Sequence, residues 1–158
     1  MTTTSVILGG ARTPIGRFGS SLASLAAVDL GAVAIREALA RSGVEPASVD
    51  YVVMGQVLQA GTGQITARQA AIAAGLPREV PAITINKVCL SGLNAIAMAD
   101  QMIRAGEADV VVAGGMESMS QAPYLLPKAR EGLRIGDGQV VDSLIHDGLW
   151  STFTKQHM

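Results

Sequence analysis

The chain carries one cysteine, Cys89, in the stretch NKVCLSGLNAIAMAD (residues 86–100). It ends an apolar run and stands directly before a helical pattern. The first-turn N–H groups of a helix lack internal acceptors, and the helix dipole is positive there. Both favour a thiolate, the nucleophilic form of the side chain. Ser91 and Gly92 are small enough for a sharp turn with the nucleophile at its tip, as in a strand–nucleophile–helix elbow. Backbone N–H groups at or near Cys89 would then serve an oxyanion. The opposite reading makes Cys89 a small buried hydrophobe. Its position is what favours the nucleophile. A nucleophile needs a base or charge partner, and the only histidines are His146 and His157. Each is by default a surface residue, and the sequence places neither against Cys89.

The elements around Cys89 follow from apolar runs that end at or near glycine. SVILGG (5–10), VDYVVMG (49–55), AITINKV (82–88) and ADVVVAGG (108–115) are rich in Val and Ile without polar alternation. Such runs suit strands buried on both faces of a parallel sheet. Between them Leu25, Val28, Ala32, Ile35 and Leu39 repeat at helical spacing, with Gly43 as a stop. A short Ala-rich helix is predicted over 65–75, ended by Gly75 and Pro77, and a third over 90–106 closed by Gly106. The expected order is β-α-β-α-β-α-β, an α/β layered domain. The third helix is apolar nearly all round, which requires cover on more than one side. After Met116 the pattern weakens into a long excursion with a turn expected at Gly136-Asp137-Gly138, and long excursions are functional or belong to contacts with another chain. With the bare ending STFTKQHM, these features lead us to expect the first part of a longer protein.

Bulk properties narrow the function classes. A length of 158 residues fits one domain. The 12 basic and 13 acidic residues leave a net charge of -1, so no basic field exists for nucleic acid or an anionic membrane. A lone cysteine forms no internal disulfide and points to the cytoplasm. MTTTSVILGGARTP lacks the basic and long apolar regions of a leader, and no apolar run approaches about 20 residues. The mean hydropathy of +0.35 is high, so the domain is nearly all core or its surface expects a partner. No Walker A motif or metal-ligand spacing is present. Glu107, Asp109, Glu117, Asp137, Asp142 and Asp147 are expected to be dispersed and solvated. Two dehydrogenase-like features are decoys. GGARTPIG contains Pro14 and misses GxGxxG, and Pro127 interrupts any helix that would present Tyr124 and Lys128 together.

INKVCLSGLNAIAMADQMI (85–103) resembles the active-site segment of thiolases, the acetyl-CoA C-acyltransferases. ARTPIGRFGSSL (11–22), GQVLQAGTGQITARQAA (55–71), AGGMESMSQAP (113–123) and the tail from Gly136 agree with that family. The resemblance is to the biosynthetic, acetoacetyl-CoA-forming type. It implies the first half of a thiolase-like fold over residues 1–118 and the start of an inserted loop domain over 119–158. It implies a Cys89 acyl-enzyme, Claisen condensation of two acetyl-CoA or the reverse thiolysis, and ping-pong kinetics. Leu149, His157 and Met158 would contact the pantetheine and acyl end of the substrate, and GGMESMS would line the region near the nucleophile. CoA thioesters would be substrates, with no cofactor. The family's second half supplies a Gly-His-Pro histidine, an oxyanion-site Asn, a second Cys as base and most nucleotide contacts, so these 158 residues alone are expected to be catalytically incomplete. The family is commonly a homotetramer, and the excursion holding Gly136-Asp137-Gly138 would help join dimers. A ketoacyl synthase-like condensing enzyme, or a non-catalytic half-thiolase acting as a folding unit or one piece of a complex, stays open as an alternative.

Overall fold

The computed structural model describes residues 4–158; the first three residues of the stretch read above for a leader lie outside the described residues. The fold begins with α1 (Ala27–Ser42), followed by β1 (Tyr51–Gly55), α2 (Thr66–Ala74), β2 (Ala82–Ile85), α3 (Ser91–Ala105) and β3 (Val111–Gly115). The three strands form one parallel sheet in the order β2-β1-β3. Moving from β1 to β2 through α2, and from β2 across β1 to β3 through α3, right-handed crossovers put the two helices on opposite faces.

Side-chain alternation along β1 fits that arrangement. Val52 and Met54 join the core formed by α1 and α2, while Gly55 meets Ser91 at the start of α3. The α1–α2 layer is packed with small residues, including Ala27, Ala32, Ala67, Ala70, Ala71 and Ala74, filled out by Ile35, Leu39 and Met116. Alanine-rich contacts let two helices lie close together, which suits a core made with few aromatics. Each helix ends as its glycine requires: Gly43, Gly75 and Gly106 all have positive φ and donate back to the last turn.

Residues 5–10 depart from expectation, for they form no strand. Val6, Ile7 and Leu8 are exposed, and β3 is a sheet edge. The segment runs instead between helices: the Ser5 hydroxyl donates to Asp100 on α3, and Gly9 lies against Ser42 at the end of α1. Its apolar side chains have nothing outside them to pack against, so the burial that would drive it into the sheet is missing. The expected four-stranded sheet therefore has three strands.

α3 shows the same shortage of cover. Only Ser91, Ala95 and Ala99 are buried, and Leu93 and Ile96 face outward. A compact chain of 16.2 kDa exposes about 7,500 Å². This one exposes 10360 Å², an excess of nearly 3,000 Å² on that scale, and Val6, Ile7, Leu93 and Ile96 are among its exposed residues.

After β3 the chain leaves the sheet and makes only two-residue ladders. β4 (Tyr124–Leu125) pairs with β5 (Val141–Asp142), and β6 (Trp150–Ser151) pairs with β7 (Gln156–His157). A wide helical turn, Leu144–Leu149, lies between the ladders. Tyr124 sits in a strand and Lys128 in a turn of positive φ, so no helix presents them together. Gly136 provides the bend near the expected turn. No helix among the described residues is long and apolar enough to cross a membrane.

Asp50 pins the start of β1 to that of β3. Its carboxylate accepts the Asp109 and Val110 N–H groups at 2.8 and 2.9 Å, and its own N–H donates to the Val110 carbonyl. The Val110 and Asp109 N–H groups hold its pKa below the usual carboxylate value. A depressed folded-state pKa contributes stability above the unfolded value, and that contribution is lost as pH falls through the folded one. Asp50→Asn should lower the urea midpoint at about pH 7, and the gap to wild type should narrow as pH falls below the ordinary carboxylate range. A gap independent of pH would refute this role.

Candidate active site

The turn that presents Cys89 is built by short-range polar contacts. The Asn86 side-chain oxygen accepts the Val88 N–H at 2.9 Å. The Ser91 hydroxyl accepts the Lys87 N–H at 2.8 Å and donates to the Val88 carbonyl at 2.6 Å. Between these clamps Val88 takes φ +50°, a left-handed conformation that costs a β-branched residue about 1–3 kcal/mol. The strain sits next to Cys89, and α3 begins two residues later. Strained turns of this kind occur where surrounding contacts over-determine the backbone to aim a side chain.

The elbow rests on a junction without side chains. Gly55 ends β1, Gly115 ends β3, and Gly92 lies in the first turn of α3. A Cβ on Gly55 would lie 2.5 Å from Ser91 Cβ, 2.7 Å from the Ser91 carbonyl carbon and 2.8 Å from Gly92 N. A Cβ on Gly115 would lie 3.3 Å from Gly92 Cα. The helix start therefore sits directly on two strand ends.

Cys89 is free and exposed, so the buried-hydrophobe reading fails. It opens onto a cavity of about 380 Å³. Val88, Ser91 and Gly92 form the wall beside it, Gly55 to Leu58 a second, Gly115 to Glu117 with Met119 a third, and Leu144, Gly148 and Leu149 the last. The ends of two strands, one helix start and the late helical turn thus converge on one thiol. The sequence-predicted residues divide here. Cys89 and Leu149 share the cavity; His157 and Met158 do not line it. His157 stacks edge-on against Trp150 with ring centroids 5.1 Å apart, and the Met158 N–H donates to the Leu149 carbonyl at 2.9 Å. The last two residues are tied to the Leu149 segment rather than to the cavity itself.

Glu117 corrects the expectation of a solvated acid. It is half-buried on the cavity wall, and its carboxylate accepts the Val57 N–H at 2.8 Å and the Leu58 N–H at 3.3 and 3.4 Å. Burial pushes its pKa above the usual carboxylate value, against the opposing pull of the Val57, Leu58 and Ser118 N–H groups. Asp142 is likewise engaged, accepting the Leu144 N–H at 2.9 Å. Beside Glu117, buried Gln56 donates to the Leu58 carbonyl, while its side-chain oxygen has no protein partner. No group of three or more His, Cys, Asp or Glu among the described residues could hold a metal ion.

The family model for the thiolase N-terminal domain matches residues 5–158. The chain is 60% identical to the probable acetyl-CoA acetyltransferase of Mycolicibacterium smegmatis over 153 residues, covering 97% of this chain and 39% of that protein. It is 58% identical to the acetyl-CoA acetyltransferase of Cupriavidus necator, with the same two coverages. Among solved structures, the Acat5 thiolase from Ascaris suum in complex with coenzyme A superposes with a TM-score of 0.91 at 45% identity, covering 96% of this chain and 39% of that one. The chain thus spans about two-fifths of the length of the curated relatives it matches.

Gly55→Ala tests the junction. The new methyl meets backbone atoms, which no rotamer change can relieve, so urea unfolding should show a loss on the order of 1–3 kcal/mol. Alkylation of Cys89 by iodoacetamide should change in rate as the elbow shifts. Unaltered stability and alkylation together would mean that the junction tolerates a side chain.

Proposed function

The chain belongs to the thiolase family, and from that premise we propose that it supplies the nucleophilic part of a CoA-dependent acyltransferase. One observation carries this reading: an exposed cysteine on a strained strand-to-helix turn opens onto a cavity of about 380 Å³. The Cys89 thiolate attacks the thioester carbon of acetyl-CoA. A carbon–sulfur bond forms to Cys89, the bond to the coenzyme sulfur breaks, and the CoA thiolate leaves and takes up a proton. A second acetyl-CoA, deprotonated at carbon 2, then attacks the acyl carbon. Acetoacetyl-CoA forms and the Cys89 thiolate is released; thiolysis is the reverse. Splitting the transfer over a covalent intermediate lowers each barrier and predicts ping-pong kinetics.

Leu149 in the cavity wall supports a role against the acyl end of the substrate. His157 and Met158 reach the substrate in this reading through the ladder that joins them to Leu149 and Trp150. We take residues 1–118 as the N-terminal α/β unit and 119–158 as the beginning of the loop domain, in keeping with the change from sheet to short ladders after β3. Neither histidine lines the cavity, and the Glu117 oxygens are occupied by the Val57 and Leu58 N–H groups. The proton at carbon 2 therefore has no free base among the described residues of this chain, and in this reading the remaining portion of a thiolase supplies it. That portion, with further copies in an oligomer, would also cover α3 and the exposed segment 5–10. A reduced, exposed thiol suits a cytoplasmic enzyme.

Intact-mass spectrometry after incubation with acetyl-CoA tests the assignment. The subject is a full-length thiolase whose N-terminal segment is replaced by this chain. One acetyl group on the parent and none on Cys89→Ala is expected. An unlabelled parent, or equal labelling of both proteins, would sink the acyl-enzyme reading. The 158-residue chain alone should show no turnover, and detectable turnover would overturn its dependence on the remaining portion.

A further inference from the structure

We propose that Glu117 is a positioning residue: by accepting the Val57 and Leu58 N–H groups, its carboxylate sets the cavity wall on which the segment carrying Leu149 is seated. The contacts form a continuous path. Glu117 follows β3 closely, and the neighbouring Met116 N–H is bonded to the Gly55 carbonyl at 2.9 Å. The carboxylate is therefore anchored to the sheet end, while its oxygens reach sixty residues back to the loop after β1.

That loop is held from its other side as well. Gln56 N–H donates to the Ile85 carbonyl at 3.0 Å, and the Gln56 side chain donates to the Leu58 carbonyl at 2.9 Å. With N–H and carbonyl both engaged, Leu58 has a fixed backbone and a buried side chain. Its Cδ2 is the atom that a Cβ on Gly148 would meet at 3.3 Å. Gly148 precedes Leu149, so the turn Leu144–Leu149 rests on Leu58. Removing the carboxylate leaves two part-buried N–H groups without acceptors, and loop and turn should loosen together. Desolvation raises the Glu117 pKa in spite of the N–H contacts, which is consistent with an acid kept at this wall for its acceptors.

The path gives the proposal two independent readouts. The first is amide hydrogen exchange on the chain itself, comparing wild type with Glu117→Ala and Glu117→Gln. Glu117→Ala should speed exchange at 56–58 and at 144–149 together, with the helices α1 and α2 unchanged. Glu117→Gln, which keeps one acceptor oxygen and nearly the same volume, should restore most of the protection. Faster exchange confined to 56–58, exchange raised everywhere in both variants, or no change at either segment would overturn the proposal.

The second readout rests on the acyl-transfer reading and uses the full-length thiolase carrying this segment. KM for acetyl-CoA should rise about tenfold in Glu117→Ala, with a smaller fall in kcat, as expected for loss of charge-assisted hydrogen bonds that shape a wall. Iodoacetamide alkylation of Cys89 should stay within about twofold of the parent, because the elbow itself is untouched. A kcat loss with unchanged KM would overturn the positioning role in favour of direct chemistry. If the parent fails to acylate Cys89, the function reading fails, and the exchange result still decides whether Glu117 holds the wall.

Discussion

The site depends on a backbone-to-backbone contact. Two strand ends, at Gly55 and Gly115, approach the first turn of α3 so closely that a Cβ on Gly55 would collide with Ser91 and one on Gly115 would crowd Gly92. Every other feature of the Cys89 elbow is arranged around that approach. With the start of α3 pressed onto the sheet, the link from β2 has only five residues, 86–90, in which to reverse direction. The reversal forces Val88 to positive φ, and the Asn86 and Ser91 side chains satisfy the backbone groups that the reversal would strand. Cys89 then falls at the apex, outside the packed layers, and is exposed because the junction leaves it nowhere to be buried. Its exposure and the local strain have a single origin.

The same junction couples the site to the core. Met116 follows Gly115, packs against Gly31 of α1 within the main core, and also lines the Cys89 cavity. Core and cavity therefore share a wall on the α1–α2 side. On the α3 side packing is sparse: Leu93 and Ile96 are exposed, and the apolar segment 5–10 lies outside the sheet. A fold that is tightly packed on one face and bare on the other has its stability distributed unevenly, with local opening easiest where apolar contacts are few. The cavity lies on the boundary between these two regimes.

Much of this was legible in the residues. The three helix stops were readable because glycine at Gly43, Gly75 and Gly106 solves a local problem that few other residues solve. Three of the four strands were readable because unbroken Val and Ile runs have few other uses. Run 5–10 has the same composition, yet composition reports preference for burial and not whether a partner surface exists. Cys89 stands out through its place between strand and helix, and Leu149 only through family resemblance; the structure puts both in the lining of one cavity. Glu117 was missed since an acid after two glycines looks like a surface residue; its acceptors serve N–H groups sixty residues away, and no local pattern encodes that distance. The strain at Val88 was invisible for a related reason, being imposed by the glycine junction and not by valine itself.

Chemistry is divided in this chain much as packing is. The residues near Cys89 solve one problem, the aiming of a thiol into a cavity with strand and helix ends around it. They leave the second untouched. In the acyl-transfer reading proposed above, proton removal at carbon 2 needs a base near the acyl carbon, and the cavity's one acid is already engaged as an acceptor for its own wall. A carboxylate engaged in this way is pinned to its wall, because taking a proton would weaken the N–H contacts that hold it. Structural use of Glu117 and catalytic use of Glu117 therefore compete. In the proposed reading, a base brought in by another surface would leave that wall undisturbed, and the exposed Leu93 and Ile96 on α3 are apolar residues such a surface could cover.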